Sequence, residues 1–243
     1  MSTGALGVPR LHLRLTDSTN DRARALAIAG APHGTLVTAA EQSAGRGRQG
    51  RRWSAPAGSA LLMSLVLREP PELLPLVAAL GVCDVAGPEA RIKWPNDVVF
   101  ERPAPSPGPA GEGTLAKVAG ILAEGRPQEG WAVLGIGLNV AVRLEDLPPE
   151  LHGTAATLGR EGAEVEPVLE ALLQALARRL AEPVEQTLDA WRRRDALRGR
   201  AIAWNGGEGT AEGVDGDGRL VVALAGGGRT ALDAGEVHLR PLG

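Results

Sequence analysis

The chain has 243 residues and 26 basic side chains, of which only Lys93 and Lys117 are lysines and the other 24 are arginines. A lysine kept where nearly every other cation is arginine is a candidate for chemistry that needs a compact ammonium rather than a wide planar fork. Asparagine is almost as scarce, at positions 20, 96, 139 and 205. The segment EQSAGRGRQGRRW (41–53) sets Arg46, Arg48, Arg51 and Arg52 among Gly45, Gly47 and Gly50, and ends in Trp53. Glycine lets backbone approach an anion closely, and guanidinium forks match carboxylate and phosphate oxygens. Gln42 and the flat ring of Trp53 at the two ends suit a lid over a small molecule. A solvated basic loop that touches RNA or only water is the other reading. The Walker pattern with its Lys-Ser/Thr ending is absent, so the loop is not a P-loop.

Three further segments carry candidate groups. In RIKWPNDVV (91–99), Pro95 fixes the backbone so that Asn96 and Asp97 project from a rigid turn. Their oxygens suit a magnesium ion or ligand hydroxyls, although Pro-Asn-Asp is also an ordinary β-turn. In KVAGIL (117–122), Lys117 opens an apolar strand, where an ammonium either has an anionic partner or faces water as an edge-strand charge. In GIGLN (135–139), two glycines either clear space above a ligand or let neighbouring strands pack closely. The four histidines are scattered without metal-ligand spacing, and DGDG at 215–218 is hairpin chemistry rather than a calcium loop. Cys83 sits in an apolar segment and reads as a small core residue.

The elements that must hold these groups follow from periodicity. Residues 11–16 alternate as a strand, and Asp17, Ser18 and Thr19 offer helix-capping side chains to a helix over 20–29 that Gly30 ends. Strands are predicted over 34–40 and 59–67, a loop over 42–52 and an apolar helix over 72–85. Residues 91–94 and 97–100 are extended, and 117–124 with 131–139 form an adjacent antiparallel pair. The Pro/Gly/Ser-rich stretch 102–114 is predicted to be a solvated, mobile connection. Helices are predicted over 167–180 and 184–197. After Leu197, short apolar runs at 201–204, 220–224 and 237–239 alternate with Gly/Asn/Asp clusters, the texture of a small barrel of tight hairpins.

Composition bounds the function classes. A single cysteine excludes a disulfide framework and a thiolate zinc site. A net charge of −3 argues against a nucleic-acid binder driven by bulk positive charge. No apolar run approaches the roughly 20 residues of a membrane span, and MSTGALGVPR lacks the apolar core of a signal peptide. A cytoplasmic protein without membrane contact is the expectation.

Taken in order, DSTN (17–20), EQSAGRGRQGRRW (41–53), KWPND (93–97), KVAGIL (117–122) and GIGLN (135–139) resemble the biotin–protein ligases over most of residues 17–140. The resemblance implies an α+β chain. A catalytic domain over 1–195, related to class II aminoacyl-tRNA synthetases and lipoate ligases and built on a mixed sheet with helices, would precede an SH3-like barrel over 196–243. It also implies ATP and Mg2+ as co-substrate and metal, biotin as substrate, and no tightly bound prosthetic group. Biotin would be activated as biotinyl-5′-AMP and passed to a lysine of a biotin carboxyl carrier protein. Only sixteen residues precede Asp17, so the DNA-binding arm of the repressor form is expected to be missing, and a homodimer is compatible with the family.

Carried over by motif, Ser18, Thr19, Asn20, Gln42, Arg46, Gly47, Arg48 and Lys117 would hold biotin. Arg48, Trp53, Asn96, Asp97 and Asn139 would hold the nucleotide. Arg46, Lys117 and Asp97 would act in catalysis, with Asp97 also the candidate magnesium contact. The Pro-rich stretch is longer than the hairpin the resemblance leads one to expect. The competing readings are a lipoate ligase or octanoyltransferase of the same superfamily, and a non-catalytic RNA-binding module using the arginine loop.

Overall fold

The computed structural model describes residues 5–102, 113–126, 129–233 and 237–239. The stretch predicted as a mobile connection lies almost wholly outside them.

Seven strands form one mixed sheet: β1 (Arg10–Thr16), β2 (Leu36–Gln42), β3 (Ala60–Arg68), β4 (Arg91–Lys93), β5 (Asp97–Arg102), β6 (Thr114–Arg126) and β7 (Trp131–Asn139). Their order is β1-β2-β3-β7-β6-β5-β4, with β1 parallel to β2 and every other neighbour antiparallel. The predicted 117–124/131–139 pair is the β6/β7 ladder, which runs from Ala119↔Leu138 to Arg126↔Trp131.

Two helices cover one face. α2 (Leu74–Ala86) is apolar on nearly every side and buries Leu76, Val77, Leu80, Val82 and Cys83. α3 (Val165–Leu180) is amphipathic and turns Val168, Leu169, Leu172 and Leu176 inward. The helices approach closely at Gly81, where a Cβ would stand 2.9 Å from Leu176 Cδ2. Burial of each such leucine contributes about 1.5–3 kcal/mol. The opposite face receives α1 (Thr19–Ile28), whose inward residues are the small Ala23 and Ala27, so the helix lies close on Val37, Val66 and Val133.

α1 begins differently from the expectation. Ser18 occupies the capping position but makes no capping bond, and Gln42 Oε1 takes its place by accepting from the Thr19 amide at 2.7 Å. The end of β2 thus satisfies a free helix N–H and locks the start of α1 to the sheet.

α4 (Val184–Arg194) follows, and then a second, antiparallel sheet of β8 (Ala201–Trp204), β9 (Gly207–Val214), β10 (Leu220–Ala223), β11 (Arg229–Leu232) and β12 (Val237–Leu239) in the order β11-β10-β9-β8-β12. The glycine-rich GEGTAEGV, whose first residues belong to a cluster expected to turn, forms the strand β9 because β8 and β10 pair with it on either side. Gly209 is required there, since a Cβ would meet the Ala223 carbonyl oxygen at 2.3 Å. Hydrogen bonds tie the small sheet and the segment leading into it to the large one: Ala196 N donates to Ile92 O at 2.9 Å, Trp94 Nε1 to Gly218 O at 3.1 Å, and Arg200 Nη2 to Glu101 Oε1 at 2.8 Å.

Candidate active site

Strand register builds the floor of the site. Leu62, Gly137, Gly120, Asp97 and Lys93 are successive cross-strand partners on β3, β7, β6, β5 and β4, one continuous rung of the sheet. Cross-strand partners point to the same face. All five line one cavity of about 150 Å³ on the α1 side. Two residues along the strands lies a second rung on the same face, Ser64, Gly135 and Leu122.

The glycines of GIGLN do open space, and protein side chains fill it. A Cβ on Gly135 would stand 2.1 Å from Asn20 Oδ1, and one on Gly137 would stand 2.5 Å from Trp53 Cε2. The indole lies over Gly137 and Gly120, its Nε1 buried without a hydrogen-bond partner.

One end of the cavity is neutral and polar. Gln42 Oε1 accepts from the Thr19 amide and, at 3.1 Å, from its hydroxyl. The Ser64 hydroxyl lies 2.6 Å from Asn20 Oδ1 and 2.9 Å from Thr19 Oγ1. Asn20 Nδ2 donates to Glu124 Oε2 at 2.9 Å. Ser18, Thr19 and Asn20 are all buried. Ser64 is fully buried and was not among the residues expected in the site; the signal available in the sequence was a hydroxyl in the middle of the apolar run SALLMSLVL, which also begins with Ser59.

The other end is cationic. Lys117 Nζ stands 2.6 Å from Asp97 Oδ1 and 5.5 Å from the centroid of the Trp53 ring. That carboxylate oxygen is buried and meets the ammonium outside hydrogen-bond angles. Burial pushes the pKa of Lys93 down; Lys117 and Arg51 add to the shift and Asp97 opposes it. Arg48 is also lowered by burial, with Asp97 opposing, yet remains a cation.

The arginine loop lies across the two ends. Its base is closed by Trp53 N donating to Gly45 O at 2.9 Å and Gly47 N donating to Arg51 O at 2.7 Å. Arg46 turns inward, its Nη1 donating to Asp21 Oδ1 and its Nη2 to Glu124 Oε1, each at 2.7 Å. Arg48 Nη1 donates to Asn96 Oδ1 at 3.3 Å, and Asn96 Nδ2 to Ile121 O at 3.0 Å. Beyond the loop a second cleft of about 450 Å³ shares Arg46, Gly47, Arg48 and Asn96 with the first and reaches Asp217 and Gly218 of the small sheet.

Of the residues singled out in the sequence, Ser18, Thr19, Asn20, Gln42, Arg46, Gly47, Arg48, Trp53, Asn96, Asp97 and Lys117 line the cavity. Asn139 does not. Its Nδ2 donates to Ala156 O at 2.8 Å and fastens the end of β7 to the following segment. Lys93, singled out only by its scarcity, lines the cavity too, so both lysines of the chain meet there. Cys83 is fully buried on α2, its thiol pushed up to about 12 by burial.

Comparison with known proteins gives consistent matches. Residues 12–140 match the model of the biotin/lipoate A/B protein ligase family. The biotin--[acetyl-CoA-carboxylase] ligase of Mycobacterium tuberculosis is 34% identical over 251 residues, covering 93% of this chain and 87% of that protein. The protein of the same name from Paracoccus denitrificans is 35% identical over 254 residues, covering 93% and 98%. The bifunctional ligase/repressor BirA of Bacillus subtilis is 34% identical over 176 residues, 68% of this chain, and the match spans 50% of that longer relative. Among solved structures, the biotin protein ligase from Aquifex aeolicus in complex with biotin and ATP superposes with a TM-score of 0.77 at 26% identity, covering 96% of this chain and 99% of that one.

Proposed function

The chain belongs to the biotin/lipoate A/B protein ligase family, and from that premise we propose that it is an ATP-dependent biotin–protein ligase. It activates biotin as biotinyl-5′-AMP and transfers it to a lysine of a biotin carboxyl carrier protein. The observation that carries this reading is a single cavity that joins a neutral amide and hydroxyl end to a cationic end across one sheet face. The first suits an uncharged polar ring, and the second suits a carboxylate meeting a polyphosphate.

In this reading the amides and hydroxyls of Ser18, Thr19, Asn20 and Gln42 hold the ring of biotin, with Ser64 fixing Asn20 and Thr19 from below. The carboxylate then points toward Lys117, where an oxygen attacks the α-phosphorus of ATP, the bond to the β-phosphate oxygen breaks and diphosphate leaves. Charge builds on phosphorus and on the leaving group, and Lys117 with Arg48 supplies fixed positive charge for it without a covalent enzyme intermediate. Trp53 offers a flat face to the nucleotide and Asn96 a polar one. Arg46 and Gly47 close over the adenylate and exclude water until the acceptor lysine arrives.

Asp97 is the group that would meet a magnesium ion brought by ATP. Its buried oxygen lacks a hydrogen bond, and a single carboxylate is what a phosphate-held magnesium asks of a protein. Among the described residues no three His, Cys, Asp or Glu side chains form a metal cage, so the nucleotide would supply the remaining ligands. Such an ion would neutralise phosphate charge.

We also assign residues 1–195 to a class II synthetase-like catalytic domain and 196–243 to an SH3-like barrel, in a cytoplasmic enzyme. No helix among the described residues is long and apolar enough to cross a membrane. The buried, unreactive Cys83 disfavours octanoyl transfer through a cysteine. The inward turn of Arg46 and Arg48 disfavours an RNA-binding surface.

Exchange of labelled pyrophosphate into ATP tests the reading. Exchange that needs biotin, followed by biotin transfer to a carrier domain, is the expected result. Exchange that needs lipoate would transfer the assignment to lipoate ligation, and no exchange with either acid would refute adenylation.

A further inference from the structure

The rung that carries Gly137, Gly120 and Asp97 ends on β4 at Lys93. Neighbouring strands lie about 4.8 Å apart, so Lys93 starts one strand beyond Asp97 and two beyond Gly120, on the side away from Trp53 and from the neutral end of the cavity. Lys117 reaches across Gly120 to Asp97, with its Nζ 3.0 Å from the place a Gly120 Cβ would take. Asp97 is therefore engaged by Lys117 on one side and has Lys93 as its ladder partner on the other.

The charge balance at this end is uneven. Lys93, Lys117 and Arg48, each partly buried, line it, and among the described residues Asp97 is the one carboxylate that lines the cavity. Positive charge drawn out of water without matching carboxylates calls for an anionic ligand of more than one charge. The lowered proton affinity of Lys93 comes first from its burial, with a smaller contribution from Lys117 and Arg51. Lys117 and the Trp53 face account for an α-phosphate and a base, and leave Lys93 without a task in the reaction as derived above.

We propose that Lys93 binds the β- and γ-phosphates of ATP and carries the departing diphosphate. This rests on the adenylation reading and deepens it. When the carboxylate oxygen bonds to the α-phosphorus, the electron pair of the breaking P–O bond goes to the β-phosphate oxygen. The Lys93 ammonium neutralises the charge that collects on the diphosphate and keeps its own proton. Lys93 then belongs to the first half-reaction alone, because biotinyl-5′-AMP has no β- or γ-phosphate.

Direct binding separates this role from a structural one. Affinities of the wild-type protein and Lys93→Met for inorganic pyrophosphate, ATP and biotinyl-5′-AMP would be measured by titration calorimetry, with single-turnover transfer from preformed biotinyl-5′-AMP to a carrier domain alongside. The expected result is at least a tenfold loss for pyrophosphate and ATP, with adenylate affinity and transfer within about twofold of wild type. Lys93→Arg, which keeps the charge, should recover part of the pyrophosphate affinity. Equal losses for pyrophosphate and adenylate, or no loss for pyrophosphate, would overturn the proposal. Wild-type protein that binds pyrophosphate through Lys93 yet forms no biotinyl-5′-AMP would refute the biotin reading and leave the polyphosphate assignment standing.

Discussion

Lys117 Nζ and Asp97 Oδ1 stand 2.6 Å apart on neighbouring strands, with the lysine stem lying over Gly120 and its ammonium 5.5 Å from the centre of the Trp53 ring. Three constraints thus meet at one nitrogen: a carboxylate beside it, a bare backbone under its stem and a ring within cation–π reach. An arginine keeps the charge but brings a planar fork several atoms wide into a space cleared for a thin chain. Lys117→Arg is expected to slow adenylate formation by more than tenfold, about 1.4 kcal/mol of barrier or more. Single-turnover formation of biotinyl-5′-AMP checks this, and near-wild-type rates would show the lysine to be peripheral.

The two glycines of GIGLN make separable predictions. A methyl on Gly135 would strike Asn20 Oδ1 at 2.1 Å and push the amide out of its bonds with Ser64 and Glu124. Gly135→Ala should therefore weaken biotin binding by roughly tenfold or more, since overpacking of this kind typically costs about 1–3 kcal/mol. Gly137→Ala strikes the Trp53 indole at 2.5 Å instead, and its effect should fall on ATP. Isothermal titration of each variant with each substrate separates them, and identical losses for both substrates in both variants would contradict the division of the cavity.

Arg46 is held by two carboxylates from different elements, Asp21 on α1 and Glu124 on β6, and Glu124 also receives Asn20. Through this pair the loop is fastened to the neutral end of the cavity. Arg46→Gly removes the tie, and the adenylate is expected to leave at least ten times faster and to label proteins indiscriminately. A chase of bound biotinyl-5′-AMP with excess unlabelled ligand measures the off-rate. An unchanged rate would show that the tie does not retain the adenylate. Binding of the adenylate should also protect Arg48–Arg52 from trypsin, and equal cleavage with and without it would count against closure of the loop.

Much of this site was legible because its residues sit in contiguous motifs. DSTN, the arginine loop, KWPND and KVAGIL each deliver their side chains to the cavity, since a strand or turn holds neighbours at fixed spacing. What the sequence hid depends on register. That Gly137, Gly120, Asp97 and Lys93 form one rung follows from the order β7-β6-β5-β4 and from an irregular step in the β5/β6 ladder between Val98 and Val99. No local pattern encodes either. Asn139 closes GIGLN in sequence yet fastens to Ala156 outside the cavity. Ser64 joins the site only because β3 lies beside β7. The strands β9 and β11 escaped notice because GEGTAEGV and RTAL have weak intrinsic strand preference and are extended by their neighbours.

Asp195, where α4 hands over to the small sheet, gives a prediction for pH. Its Oδ1 accepts from Leu197 N at 2.8 Å, but Oδ2 is buried without a partner, near Gly213 of β9. Burial raises its pKa to about 6, against the opposing pull of the Leu197 and Arg198 amides and the Arg198 charge. The sign follows from proton linkage. The folded chain holds this proton more tightly than the unfolded chain, whose ordinary aspartate releases it near pH 4, so folding loses stability as pH rises from about 4 to about 6 and regains none above that. At 1.36 kcal/mol per pKa unit the penalty at neutral pH is roughly 1–3 kcal/mol. Asp195→Asn keeps the acceptor for Leu197 and carries no charge, so it should stabilise the protein by about that amount at pH 7.5 and by little at pH 4. Urea denaturation of both proteins at the two pH values measures the difference. A gain independent of pH would show that the asparagine acts through packing, and a loss at pH 7.5 would show that the charged form of Asp195 is the one this junction requires.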